Sequence, residues 1–147
     1  MVRLLSSTPD GTRIIDSVDP VDQSPVTELL RLDGPVQATA RTATQNQLIG
    51  NVEIATGQQV LVVIAAANRD PGVFDEPDQF RLGRGLAPLA FGYGAHYCLG
   101  AALARLEITV ALHKLLGGLP ALAGPVSWRD NPAIRGPLSV PMIFRSS

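Results

Sequence analysis

In FGYGAHYCLG, residues 91–100, the chain's single cysteine, Cys98, stands among Gly92, Gly94, His96 and Gly100. An Ala/Leu-rich helical stretch follows at once. A lone cysteine is most often a small buried hydrophobe. Its neighbours argue for more. Gly92 and Gly94 let the backbone turn sharply and approach a ligand without side-chain clash. Cys98 sits where loop gives way to helix, and a helix start offers unpaired N–H groups and a positive dipole end that favour a thiolate. Gly100 leaves the first turn bare, so a flat partner can lie close.

Other thiol chemistries fit less well. Structural zinc takes about four Cys or His ligands, and the sequence has one Cys and two His. Covalent haem attachment through C-x-x-C-H is ruled out by the single cysteine. A Cys98/His96 nucleophile pair stays open, although residues two apart on a tight loop need not face each other and no orienting partner is evident. A dinucleotide phosphate loop fails, because Tyr97 stands where the third glycine belongs. Iron of a haem suits the arrangement best, since thiolate is one of its protein ligands.

Downstream, Leu99, Leu103, Leu106 and Val110 follow each other at spacings of four, three and four, one apolar stripe of a helix that ends at Gly117-Gly118. Upstream, GVFDEPDQFRLGRGLAP reads as a long irregular loop, the kind that usually has a task. Before it, AAANRDP reads as a short helix and Val60–Ile64 as a buried strand. Gly50-Asn51 and Thr56-Gly57 mark turns of a hairpin system, and VQATARTAT reads as a strand. Ser24-Pro25 reads as a helix start with Ser24 as cap, and Gly34-Pro35 as its stop. The tail PAIRGPLSVPMIFR suggests a short hairpin. Residues 1–22, broken by Pro9, Gly11, Asp19 and Pro20, suggest only partial order.

Bulk composition is that of one folded domain: 147 residues, 46% hydrophobic, 17% charged. A net charge of −1 gives no ground for a nucleic-acid or anionic-membrane partner. No apolar run reaches the roughly 18 residues of a membrane span. MVRLLSSTPDGTR lacks the apolar core of a signal peptide, so a cytoplasmic location is expected. Twelve prolines and 14 glycines imply many loops, which a bound cofactor could organise.

FGYGAHYCLG resembles the haem-binding loop of the cytochrome P450 family, F-x-x-G-x-[HR]-x-C-x-G, with Phe91, Gly94, His96, Cys98 and Gly100 all matching. The family's Glu-x-x-Arg helix is similar to Glu28-Leu29-Leu30-Arg31. Its meander pattern F-x-x-P-x-[RH]-F is similar to FDEPDQF, except that Gln79 replaces the basic residue, which implies a weaker tie between helix and meander. ANRDP and IRGPLSVPM also resemble family segments.

This resemblance implies an α+β fold: the C-terminal part of a P450, with the Glu-x-x-Arg helix, a small β-sheet, the meander, the cysteine loop, a long helix and a C-terminal hairpin. The haem-binding region would be residues 23–147, preceded by a weakly ordered segment 1–22. The cofactor would be haem b with Cys98 as axial thiolate and metal ligand. Phe91, Gly92, Gly94, His96 and Gly100 would shape its site. Arg41 and His96 would hold the propionates, and Glu28 and Arg31 would be structural. Residues 36–39 and 134–138 would line one side of a pocket for a small apolar substrate. A ferredoxin or flavoprotein donor would dock near Arg84, Arg105 and Lys114. The family's [AG]-G-x-[DE]-T-[TS] helix over the oxygen-binding face has no counterpart in these residues, so no catalytic residue is assigned. Three readings follow: part of a monooxygenase needing a complementary N-terminal P450 chain or a longer precursor, a small haem-binding or sensor protein, or a truncated inactive remnant.

Overall fold

Pro25 has a backbone pre-set for a first helical turn, and the Leu/Val positions after it recur at helical spacing. They form α2 (Ser24–Asp33), which buries Val26, Glu28, Leu29, Leu30, Arg31 and Leu32. The cap lies one residue earlier than expected. Gln23 holds that position, and Ser24 is already helical, its hydroxyl and N–H both donating to Asp22. The structure is a computed structural model that describes residues 2–6, 13–19, 22–118 and 120–144.

Around α2 lie short elements. Helix α1 (Val2–Leu5) and a 3-10 turn, Ile14–Ser17, pack Leu4, Leu5, Ile15 and Val18 into one core with Val26, Leu29, Leu30 and Leu112. Where the breakers suggested frayed turns, these described residues supply much of the core; Pro9, Gly11 and Pro20 lie outside the described residues. Strand β1 (Thr39–Thr42) pairs antiparallel with β4 (Gln59–Val62), Thr39 opposite Val62. Between them β2 (Gln47–Ile49) and β3 (Val52–Ile54) form a hairpin with Gly50 at φ +59°, as the turn signal predicted. Helix α3 (Ile64–Ala67) follows. The strand expected as buried over 60–64 is corrected: it ends at Val62, Ile64 starts α3, and Leu61 is 65% exposed.

Residues 72–88 run without strand or helix. Helix α4 (Ala101–Leu116) then begins, with Gly100 as cap. The C-terminal strands nest antiparallel, β5 (Ala121–Leu122) with β8 (Met142–Ile143) and β6 (Ser127–Trp128) with β7 (Pro137–Ser139). A bridge between Val36 and Ile134, flanked by Gln37 N–H to Ala133 O (2.8 Å) and Arg135 N–H to Pro35 O (2.7 Å), ties this hairpin to the segment after α2. Among the described residues no helix is long and apolar enough to cross a membrane.

The stripe on α4 needs correction. Leu99 precedes the helix, and Leu99, Leu103, Leu106 and Val110 are 101, 60, 60 and 52% exposed. The face turned to the core carries Ala101, Ile108, Leu112 and Leu116 instead. Both faces are apolar, so spacing alone does not choose between them. Leu112→Ala is therefore expected to cost about 2–5 kcal/mol of stability, and Leu106→Lys less than about 0.5 kcal/mol, read from urea unfolding midpoints. Equal costs would mean that the chain in solution turns the other face inward.

Candidate haem-thiolate site

The cysteine loop is held from below by a buried charge network on α2. Arg31, 2% exposed, grips Glu28 with two N–H groups: Nε to Oε2 at 2.8 Å and Nη2 to Oε1 at 2.7 Å. Its Nη1 also donates to Asn68 O (2.8 Å) and Pro77 O (2.6 Å), its Nη2 to Gln79 O (3.0 Å), and its guanidinium lies 5.0 Å over the Phe74 ring. One arginine thus ties α2 to the end of α3 and to the irregular loop. A buried ion pair holds only when its remaining polar sites are also satisfied, and here carbonyls do that.

The expected weakness at Gln79 is corrected. Its amide turns outward to Glu76 Oε1 (2.9 Å). Arg84, five residues on, supplies the second cation, its Nε 3.0 Å from Glu28 Oε1. Arg84 also donates to the carbonyls of Asp75, Glu76 and Gln79, and the Arg81 backbone N–H reaches Glu28 Oε1 at 3.0 Å. Arg84, which the sequence offered as a docking charge for an electron donor, is thus held inside the network with 9% of its side chain exposed.

Burial by itself would push the Glu28 carboxyl up, but the bonds from Arg31, the Arg81 N–H and Arg84 outweigh it and hold the group below the ordinary value of 4.5. A carboxyl depressed in the fold binds its proton more readily when unfolded. Its contribution is therefore complete above 4.5 and lost as pH falls through the lower folded value. Thermal midpoints should hold from neutral pH to about 5 and fall at more acid pH. Glu28→Gln should flatten the share of that fall due to this group; an unchanged acid limb would assign it elsewhere.

Asn68, 2% exposed, carries the network onward, its Oδ1 accepting from Leu89 N–H at 2.8 Å. Leu89–Phe91 and Gly94–His96 are single 3-10 turns, joined by Gly92 and Gly94 at φ +76° and +74°. These are left-handed values that favour glycine. Cys98 N–H donates to Phe91 O at 3.0 Å and closes the loop, while the Phe91 ring meets Tyr97 edge-on at 6.4 Å and lies 5.3 Å below the Arg105 guanidinium. Cys98 O accepts from Ala101 N–H at 3.2 Å, which places the thiol just ahead of α4.

The thiol is exposed. Gly100 has no positive φ, so the backbone does not demand a glycine there. A Cβ at that position would meet only Cys98 Sγ, at 3.9 Å, and one at Gly94 would meet nothing within 4 Å. The bare surface beside the sulfur is thus not filled by the chain's own atoms. Exposed apolar side chains, Leu99 and Tyr93 among them, stand in the same loop. Among the described residues no three His, Cys, Asp or Glu side chains gather as ion ligands. A single soft sulfur exposed on a loop with open apolar side chains fits a haem.

Arg41 is exposed on β1, with Nη1 donating to Thr39 Oγ1 and Ala40 O, each at 2.8 Å. His96 is exposed at the end of its 3-10 turn. Residues 36–39 and 134–138 are brought together by the Val36–Ile134 bridge, both side chains partly open to solvent at 38 and 50%. Asn68 and Arg84 hold the network together; motif reading assigns Asn68 no role of its own and offers Arg84 only as a docking charge.

A family model described as Cytochrome P450 matches residues 20–118. The chain belongs to the cytochrome P450 family. P450 relatives include the biotin biosynthesis cytochrome P450 of Bacillus subtilis, 45% identical over 109 residues, covering 73% of this chain and 28% of that protein. The steroid C26-monooxygenase of Mycolicibacterium smegmatis is 36% identical over 127 residues, covering 83% of this chain and 32% of that protein. Among solved P450 structures, P450BioI in complex with an acyl carrier protein ligated to hexadec-9Z-enoic acid is 39% identical with a TM-score of 0.80, covering 84% of this chain and 33% of that one. The chain therefore spans about a third of the length of the P450 relatives it matches, and its mixed helix and sheet are a portion of the P450 fold.

Proposed function

We propose that this chain is the haem-thiolate portion of a P450-type monooxygenase, with residues 23–147 as its haem-binding region. Cys98 would hold the iron of haem b as its thiolate ligand, and Arg41 and His96 would pair with the propionates. Haem held there supplies the activation of O2 for insertion into a small apolar molecule, with electrons from a ferredoxin or flavoprotein. The chain's own residues do the positioning. Glu28, Arg31, Arg84 and Asn68 fix the loop that carries Cys98, Gly92 and Gly94 permit its turns, and Gly100 keeps the surface beside Sγ clear. Phe91 packs beneath the loop. Val36 and Ile134 present apolar surface to the substrate. Arg105 and Lys114 remain as cations for an acidic donor protein, since Arg84 is engaged by Glu28.

The observation that carries this reading is the exposed Cys98 sulfur beside a glycine that the chain's own packing does not require. A weak tie at Gln79 would favour the remnant reading, but Arg84 completes the network in its place. A P450 portion supplying an oxygen-side helix, from a complementary chain or a longer precursor, would be needed for turnover, as these residues hold no counterpart of that motif. The test is reconstitution with haem, reduction and addition of CO. A strongly red-shifted Soret band is expected; a chain that takes up no haem, or takes it up without that band, refutes the proposal. Turnover on adding a donor and the complementary portion then separates the monooxygenase from a haem carrier or sensor.

A further inference from the structure

An open groove of about 590 Å³ lies between α1, the end of α2 and the C-terminal hairpin, within the roughly 300–1,000 Å³ of small-molecule sites. Its described lining contains no residue of the cysteine loop. Ile134 is also absent from that lining although Arg135 is present, as expected where successive residues of an extended segment face opposite ways. The groove thus shares Arg135, Gly136 and Pro137 with the stretch assigned above to the substrate, but Val36 and Ile134, which present the apolar surface there, are not in its described lining.

Two features give it a chemistry. Val140 and Met142 form part of an apolar floor. At its edge two guanidiniums share one carboxylate: Arg3 binds Asp33 through Nε (2.6 Å) and Nη2 (2.9 Å), and Arg135 Nη1 lies 3.6 Å from Asp33 Oδ1. The next carboxylates that Arg3 senses, Asp78 and Glu28, are already paired with Arg69 and with Arg31 and Arg84. Among the described lining residues Arg3 and Arg135 face one carboxylate, Asp33, so one positive charge is left over there. Arg135 is also held in place, 4.7 Å over the Trp128 ring, with its own N–H bonded to Pro35 O at 2.7 Å. Its side chain is 47% exposed, and the rest of its fork has no protein acceptor among the described residues. A stacked, pre-set guanidinium with free N–H groups matches a carboxylate.

We propose that this groove binds a carboxylate-headed aliphatic molecule, its head on Arg135 and its chain along Val140 and Met142. Trp128 is the only tryptophan of the chain, so its emission reports the site alone. Dodecanoate below its micellar concentration, titrated into the 147-residue chain, should change that emission saturably. Its affinity should exceed that of dodecan-1-ol by about tenfold or more, the scale of a charge-assisted hydrogen bond. Acetate at the same concentrations should do nothing. Arg135→Gln should lose about tenfold in dodecanoate affinity. Val140→Asp, which places a negative charge in the floor, should do likewise and carries the test if the arginine variant fails to fold. Equal binding of dodecanoate, dodecanol and dodecyltrimethylammonium would overturn the proposal, as would undiminished binding by a folded variant.

Discussion

Arg31→Ala is expected to cost about 3–5 kcal/mol of stability, the scale for removing one partner of a buried ion pair. That is a large part of the roughly 5–15 kcal/mol that holds a domain together, so the urea midpoint should fall steeply. Glu28 would keep Arg84 Nε and the Arg81 N–H but lose the two-pronged grip at 2.8 and 2.7 Å. The carbonyls of Asn68 and Pro77 would lose their shared donor, Nη1. Arg31→Lys should recover little, because an ammonium cannot make the fork that meets both carboxylate oxygens. Arg31→Met combined with Glu28→Gln should not recover the loss, because the Arg84 guanidinium is then left without its carboxylate. Urea unfolding followed by circular dichroism measures all three. A loss under about 1 kcal/mol for Arg31→Ala would show that the network does not organise the fold.

Cys98→Ala is expected to remove the red-shifted Soret band of the reduced, CO-treated, haem-loaded chain entirely. Thiolate donation needs this one ligand, and no other cysteine exists to replace it. Haem affinity should fall by at least about tenfold, since even partners one shell out from a metal carry 10–100-fold effects. Cys98→His separates ligation from packing: it should retain haem with a Soret band at the position of nitrogen-ligated iron. The fold should hold in both variants, because the thiol is exposed and the loop is closed by the backbone bond from residue 98 to Phe91 O. A red-shifted band that survives in Cys98→Ala would mean that the sulfur is not the ligand. The groove beside Trp128 does not depend on this outcome and is measured without haem.

Much of the site was legible in sequence because its parts are local. Gly92, Gly94 and Cys98 lie within one loop, and their demands on backbone conformation are written in the residue types. Glu28 and Arg31 sit three apart on one helix, where side chains must meet. The turns at Gly50-Asn51 and Thr56-Gly57, the stop at Gly34-Pro35 and the irregular course of 72–88 were readable for the same reason. Arg84 was misread, because its bond to Glu28 spans 56 residues and substitutes for a position, Gln79, that a linear pattern treats as the only candidate. Asn68 was legible only as part of ANRDP, with no role of its own: its burial, its Oδ1 bond to Leu89 N–H and its backbone bond to Arg31 are brought about by chain folding.

The sequence by itself determined the thiol, the turns that present it and the charge pair beneath it, since each rests on interactions between near neighbours. Only the tertiary structure decided which apolar face of α4 turns inward, where Leu4, Leu5, Ile15 and Val18 are buried, and which arginine completes the network around Glu28. Those choices compare burial and charge pairing across distant segments, and a periodicity satisfied equally by two faces of one helix contains no information about which of them meets the core.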